Sequence, residues 1–401
     1  IVNPYNELSN GLEAMLREPG GCFEQVSSTN YPNIMALQLL SAKGMDENMK
    51  QKALSFLNTG YQKLKNYESK NGGFEWYGGN PGHEALTAYG LLQFYEMKNF
   101  IAVDKDLVKR SIDWLYSRKD NKGGYQQNKG KYGFTSIPYE VNNAYIVYVL
   151  SEIGEKNIDK EYQTALAEAL KSRDVYRTAL MALAAYNLND LVSYKKLLDN
   201  IKTALKGKEY AKVEVANTIV RSYGLSKSVE WASLYALALM KEGKMSEELL
   251  SVMDFIQSSK KVGGFGSTQA TALALKAVTT FSKDIRNSVN QPQISAALNN
   301  MAQATTFDAG GNITTNTTSG IKAGENTVSV TIGNDQMVPY LFYVNYLSSL
   351  PNNSPQCELE LKTSLAQSKL KVSETTRLKV EFTNKTKKVV QNPLVRIGIP
   401  G

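Results

Sequence analysis

Six stretches of the chain are apolar on nearly every side of a helix: NIMALQLLSA (33–42), LTAYGLLQFY (86–95), NAYIVYVLSE (143–152), RTALMALAAY (177–186), WASLYALALM (231–240) and ATALALKAVT (270–279). Helical spacing without a polar face predicts helices buried all round. Between them lie segments with charge on one face, among them ENMKQKALSFLNTGYQKLK (47–65), DKDLVKRSIDWLYSRK (104–119) and SEELLSVMDFIQSS (246–259), which predict amphipathic outer helices. The turns repeat a signature: Gly72-Gly73-Phe74, Gly123-Gly124-Tyr125 and Gly263-Gly264-Phe265. Self-similarity at about 40–55 residues indicates stacked helical hairpins. Roughly six inner and six outer helices predict a closed ring, an α/α toroid, because an open stack would leave its inner helices wet on one side. The alternative is an open α-solenoid.

Near residue 290 the period changes from helical to alternating. NTVSVTIGN (326–334), LFYVNYL (341–347), CELELKTSL (357–365), RLKVEFTN (377–384) and PLVRIGI (393–399) read as strands. The expected organisation is therefore mainly α, with a helical domain over 1–290 and β-rich segments over 291–355 and 356–401.

Composition narrows the function. A chain of 401 residues fits two or three domains, and 42% apolar with 21% charged residues is an ordinary globular balance. The net charge of +8 is spread along the chain, with no Lys/Arg block interleaved with aromatics, so nucleic acid is not an expected partner. No run of about 18 uncharged apolar residues predicts a membrane span. The start IVNPYNELSN has no signal-peptide pattern, and NPLVRIGIPG stops inside a strand-like pattern, so the expectation is a piece of a longer protein. Two cysteines cannot form a disulfide framework, and a Cys22–Cys357 bridge would be odd across that separation. The single histidine, His83, excludes a His-rich metal site and makes a Ser-His-Asp triad a poor fit. Neither metal nor cofactor is expected.

The chemistry concentrates in Pro19-Gly20-Gly21-Cys22-Phe23-Glu24-Gln25. Residues three apart on a helix are neighbours, with Cβ atoms about 5–6 Å apart, and the two glycines allow a tight turn into that helix. The Cys22 sulfur and the Gln25 carboxamide can therefore meet. Attack by the thiolate with loss of ammonia would give an internal thioester, an electrophile whose leaving thiol has a pKa of about 8.5. Such a bond needs a dry, aromatic cover, to which Phe23 and nearby tyrosines could contribute.

Gly21-Cys22-Phe23-Glu24-Gln25, followed by Tyr31-Pro32-Asn33-Ile34, resembles the Gly-Cys-Gly-Glu-Gln thioester motif and downstream Pro-Asn of the α2-macroglobulin and complement thioester-containing proteins. Leu86-Thr87-Ala88-Tyr89 is similar to that family's Leu-Thr-Ala-aromatic inner helix. Gly263-Gly264-Phe265-Gly266-Ser267-Thr268-Gln269 is similar to its Gly-Gly-Phe-x-Ser-Thr-Gln segment, and the tail PLVRIGIPG to the start of its C-terminal β domain. The resemblance covers nearly the whole chain in order. It implies an α/α-toroid thioester domain, a CUB-like connector over 291–355 and the start of a receptor-binding-type β domain from 356. It also implies a covalent trap, a protease inhibitor rather than a turnover enzyme, acting outside the cytoplasm: secreted, periplasmic or at a cell surface. Its implied partners are target proteases, surface amines or hydroxyls, and the remaining macroglobulin domains of the same protein.

Two departures stand out. Phe23 replaces the motif's middle glycine, a feature the resemblance connects with bacterial members. Some members carry a histidine before the third inner helix that passes the acyl group to hydroxyls; the corresponding GGYQQNKGKYGFTSIPYEVNN (123–143) has none and offers Tyr132, Phe134, Tyr139 and Glu140. Direct attack by amines, with poor transfer to hydroxyls, is the expectation. The expected thioester surroundings are Phe23, Glu24, His83, Tyr132, Tyr139 and Glu140. Glu24 reads equally as a first-turn acid favourable to the helix dipole, and His83 as a cap or packing residue. The competing functions are an enzyme on the same toroid, such as a glycosidase using two of Glu75, Glu84 and Glu140, and a scaffold with a vestigial thioester. A terpene cyclase would need an acidic Asp-x-Asp-Asp motif and a protein prenyltransferase a zinc site, neither of which the sequence supplies.

Overall fold

The computed structural model describes residues 16–40, 47–131, 137–261, 264–288, 294–303, 306–307, 313–314, 320–332, 357–367, 369–371 and 374–386. The expected strands 341–347 and 393–399, the candidate Tyr132, Phe134 and Gly263 lie outside these residues. The chain divides into two compact units, 1–342 and 343–401.

Eleven α-helices occur among the described residues: α1 (Phe23–Leu40), α2 (Glu47–Lys65), α3 (Glu84–Met97), α4 (Lys105–Ser117), α5 (Tyr139–Glu152), α6 (Asp159–Lys171), α7 (Val175–Asn187), α8 (Leu191–Leu205), α9 (Leu225–Met240), α10 (Glu247–Ser258) and α11 (Thr268–Ser288). The six apolar stretches fall on α1, α3, α5, α7, α9 and α11. Each of these packs on the next, and α11 packs back on α1, which closes the ring. Outside it, α2, α4, α6, α8 and α10 each pack on the inner helix that precedes them in the chain. The fold is the α/α toroid.

Burial follows the sequence pattern. Every residue of α3 except Tyr95 is buried, whereas α4 buries only Leu107, Ser111, Trp114 and Leu115, a stripe at helical spacing. Inner and outer helices alternate as antiparallel hairpins, so the inner helices run in one direction and their N-termini share one rim of the ring. Short polar side chains cap several of the helices. Asp104, Asp174, Asp190 and Ser246 each accept a backbone N–H from the first turn of α4, α7, α8 and α10.

The repeated Gly-aromatic turns are one device used three times. Isolated bridges Glu68–Phe74, Lys119–Tyr125 and Lys261–Gly264 close each hook. The aromatic that follows is buried under the next inner helix: Phe74, Tyr125 and Phe265 are at most 1% exposed. Their backbone N–H groups donate to Thr87 Oγ1 (2.8 Å), Asn143 Oδ1 (3.0 Å) and Thr271 Oγ1 (3.0 Å).

The ring axis is filled. Tyr31, Tyr145, Tyr148 and Tyr176 line a residual cavity of about 10 Å³, room for about one water. Towards the rim opposite the N-termini, Lys276 of α11 lies 2.7 Å from Glu96 of α3 and 3.8 Å from Glu152 of α5. Burial opposes the charge on Lys276, but the two carboxylates raise its pKa well above the ordinary value.

After α11, β1 (Ile294–Leu298) pairs antiparallel with β2 (Met301–Gln303) and β5 (Val328–Ile332), giving sheet order β2-β1-β5. β3 (Thr306–Phe307) pairs with β4 (Ile313–Thr314). In the second unit β6 (Leu359–Leu365) and β7 (Leu378–Asn384) form an antiparallel hairpin, in register from Leu359↔Asn384 to Leu365↔Leu378. Both cysteines are free, Cys22 buried and Cys357 exposed.

Candidate functional site

Cys22 stands immediately before α1 on the N-terminal rim. Its carbonyl accepts the first helical bond, from Val26 N–H at 2.9 Å. Its own N–H donates to Gln25 Oε1 at 3.0 Å. The carboxamide is therefore folded back over the residue that carries the thiol. Gly21 makes room for this: its φ is +96°, and a Cβ there would sit 2.0 Å from Gln25 Oε1. Any other residue at 21 would occupy the place of the carboxamide. Lys63 of α2 fixes the preceding turn by donating to Pro19 O at 2.7 Å.

The surroundings are aromatic on the inner side. Phe23 is fully buried, with its ring centroid 4.8 Å from Phe74 and 6.2 Å, edge-on, from Tyr67. Its backbone N–H donates to Trp76 O at 2.9 Å. Tyr67 Oη donates to Gly21 O at 2.6 Å, and burial together with the neighbouring Cys22 raises its pKa. Gly90 of α3 accommodates Phe23: a Cβ at 90 would lie 2.4 Å from Phe23 Cζ. The bulky residue at the centre of the motif is thus matched by an absent side chain on the neighbouring inner helix. Cys22 is 5% exposed, whereas Gln25 is exposed. The aromatic cover is one-sided: the ring contacts are made at Phe23, while the Gln25 side chain stays exposed.

Glu24 is partly buried. Burial raises its pKa, and a hydrogen bond with the Trp76 side chain opposes the rise. It is both a first-turn acid and a tie to the Trp76 loop. His83 is 1% exposed and caps α3, its Nδ1 accepting from Leu86 N–H at 3.4 Å. Burial lowers its pKa to about 4, so it is neutral near pH 7. Its ring lies edge-on to Trp76 at 5.2 Å, which connects it to the motif through Trp76.

The loop after Tyr125 runs along residues 75–84. Asn128 donates its backbone N–H to Glu84 Oε2 (2.9 Å) and its Nδ2–H to Gly82 O (2.8 Å). Arg118 Nε donates to Glu84 Oε1 at 2.8 Å, and Lys131 pairs with Glu75. Burial pushes the Glu75 carboxyl up, but Lys131 and the N–H groups of Tyr77 and Gly79 bring it below the ordinary value. Tyr139 and Glu140 belong to different surroundings: Tyr139 Oη donates to Asp120 Oδ2, and Glu140 raises the pKa of Glu168 on α6, whose largest cause is burial.

Tyr67 and Gly90 escape a reading of the sequence. Tyr67 sits 46 positions from its bond partner Gly21, and Gly90 lies inside an apolar helix where glycine is simply a weak helix former. The only local signal is that Gly90 interrupts LTAYGLLQFY opposite a motif already bearing one residue too large.

Residues 2–281 match the A-macroglobulin TED domain family. The chain is 27% identical to Ovostatin of Gallus gallus over 306 residues, an alignment covering 70% of this chain and 21% of that protein. The chain thus spans about a fifth of that relative's length. With the closed ring of hairpins and the Cys22–Gln25 turn on its rim, this match over more than half of the residues establishes that the chain belongs to the A-macroglobulin TED domain family.

Proposed function

We propose that this chain is the warhead portion of a macroglobulin-like covalent trap, whose Cys22 and Gln25 form an internal thioester. The observation that carries the reading is the 3.0 Å bond from Cys22 N–H to Gln25 Oε1 within one helical turn. Attack of the Cys22 thiolate on Gln25 Cδ forms the S–C bond, breaks C–N and releases ammonia, which takes the thiol proton. An amine then attacks the same carbon, leaving an amide on residue 25 and the thiol on Cys22. In both steps negative charge develops on Oε1, where the Cys22 N–H already points; a donor placed there stabilises the transition state. The one-sided cover suits a site whose outer face is closed by other domains of the same protein until a conformational change releases it. The division at 290 and 355, the protease target and action outside the cytoplasm belong to the same reading. No helix among the described residues is long and apolar enough to cross a membrane.

The glycosidase alternative gains no support. Glu84 is engaged by Arg118 and Asn128, Glu75 by Lys131 and two backbone N–H groups, Glu140 lies near Glu168, and tyrosines fill the axis. One observation favours the vestigial scaffold. An exposed Gln25 bonded to the preceding N–H is also half of a capping box, which needs no reactive thiol. Intact mass decides. A formed thioester lowers the mass by one ammonia, shields Cys22 from alkylation, and yields a methylamine adduct in excess over a glycerol adduct. Full mass with an immediately alkylated Cys22 supports the scaffold, and a preference for glycerol overturns the direct-amine route.

A further inference from the structure

We propose that a basic cleft on the same rim as Cys22 docks an acidic polypeptide segment. The cleft has a volume of about 1220 Å³ and lies between the α6–α7 junction, the end of α8 with the loop after it, and the start of α9. The inner helices α7 and α9 present their N-termini here, as α1 does at Cys22. Six cations line it: Lys171, Arg173, Lys206, Lys208, Lys212 and Lys227. Two carboxylates oppose them, and one is already engaged: Asp174 accepts Arg177 N–H (3.1 Å) and Ala216 N–H (3.2 Å). Lys212 pairs with Glu209 at 2.9 Å, and Lys227 Nζ donates to Val215 O at 2.6 Å. Lys171, Arg173, Lys206 and Lys208 are exposed and, among the described residues, make no ion pair.

Four unpaired cations converging on one concavity focus a positive potential that raises the local concentration of anionic partners. The floor is apolar, with buried Ile201, Val213 and Val215 between the charges. That alternation matches a chain bearing acidic and apolar side chains. A nucleic acid would call for stacking platforms, and no aromatic lines the cleft among the described residues. The docking stands whether or not the thioester forms. Its consequence, holding an acidic segment of a target on the same rim as Cys22 at raised effective concentration, rests on the proposed function.

The test uses the whole chain and a fluorescein-labelled peptide of alternating Glu and Leu, followed by anisotropy at two salt concentrations. Expected are saturable binding that weakens with salt, at least tenfold loss in the variant Lys171→Ala/Arg173→Ala/Lys206→Ala/Lys208→Ala, and no comparable loss in Lys50→Ala/Lys52→Ala/Lys105→Ala/Lys109→Ala, which removes the same charge elsewhere. Cys22→Ala keeps the peptide affinity while abolishing any methylamine adduct, which separates this proposal from the thioester. Absent binding, equal loss in both quadruple variants, or tighter binding of an oligonucleotide of equal charge overturns the proposal.

Discussion

Glu230 offers a quantitative test of the packing between α9 and α11. It is fully buried in α9, with Ser222 Oγ and Ser267 Oγ donating to Oε1, the second at 3.2 Å. Ser267 also accepts from Ala270 N–H at the start of α11, at 3.1 Å. Burial raises the carboxyl from its ordinary 4.5 to about 7, with hydroxyls of Ser222, Thr218 and Ser267 moderating the rise. The folded chain thus holds its proton over a range in which the unfolded chain has lost it. Stability is fully present below about pH 4.5, declines as pH rises towards 7, and is level above that. The interval is about 2.5 pH units, and at about 1.4 kcal/mol per unit the loss by pH 8 is about 3 kcal/mol. Glu230→Gln keeps the shape and cannot ionise. It should match the wild type within about 1 kcal/mol at pH 5 and exceed it by about 2–3 kcal/mol at pH 8, where the wild type carries a buried charge. Urea unfolding at both pH values, followed by far-UV circular dichroism, measures the difference. An effect of the same size at pH 5 and pH 8 refutes the reasoning, because the carboxyl would then not titrate differently in the two states.

Two further outcomes follow from contacts already described. Gly90→Ala places a Cβ against Phe23 and should destabilise by about 1–3 kcal/mol; adding Phe23→Leu should recover part of that loss, and a double-mutant cycle from urea unfolding that shows no coupling would count against the contact. Lys276→Met removes the cation shared by Glu96 and Glu152 and should destabilise by about 3–5 kcal/mol near neutral pH; thermal melts that show no loss would contradict the buried network.

The inner helices are legible in the sequence because burial on all sides leaves no polar face to misread. NAYIVYVLSE and WASLYALALM could only be interior, and six such segments demand a partner for the first and the last. The Cys22–Gln25 pairing is legible because it is local, set by one turn and by a glycine that leaves the carboxamide its space. What remains hidden depends on distance along the chain. Nothing near Gly90 announces Phe23, and nothing near Tyr67 announces Gly21 O. His83 reads as a cap or packing residue, and its Nδ1 bond to Leu86 N–H is a cap. Tyr139 and Glu140 follow the expected loop in sequence, yet their interactions are with Asp120 of the Gly-aromatic turn and Glu168 of α6, both remote in sequence.

The packing of α1 against α11 has a consequence for the order in which the molecule takes shape. The first inner helix to leave the ribosome waits for the last before one flank is covered, so the contact is among the least local in the domain and its closure among the slower events. Phe23 does not share that wait, because Tyr67, Phe74, Trp76 and Gly90 all follow within the next hairpin. The aromatic surroundings of Phe23 are therefore complete in the chain by residue 90, and ring closure at α11 covers the remaining flank of α1 instead.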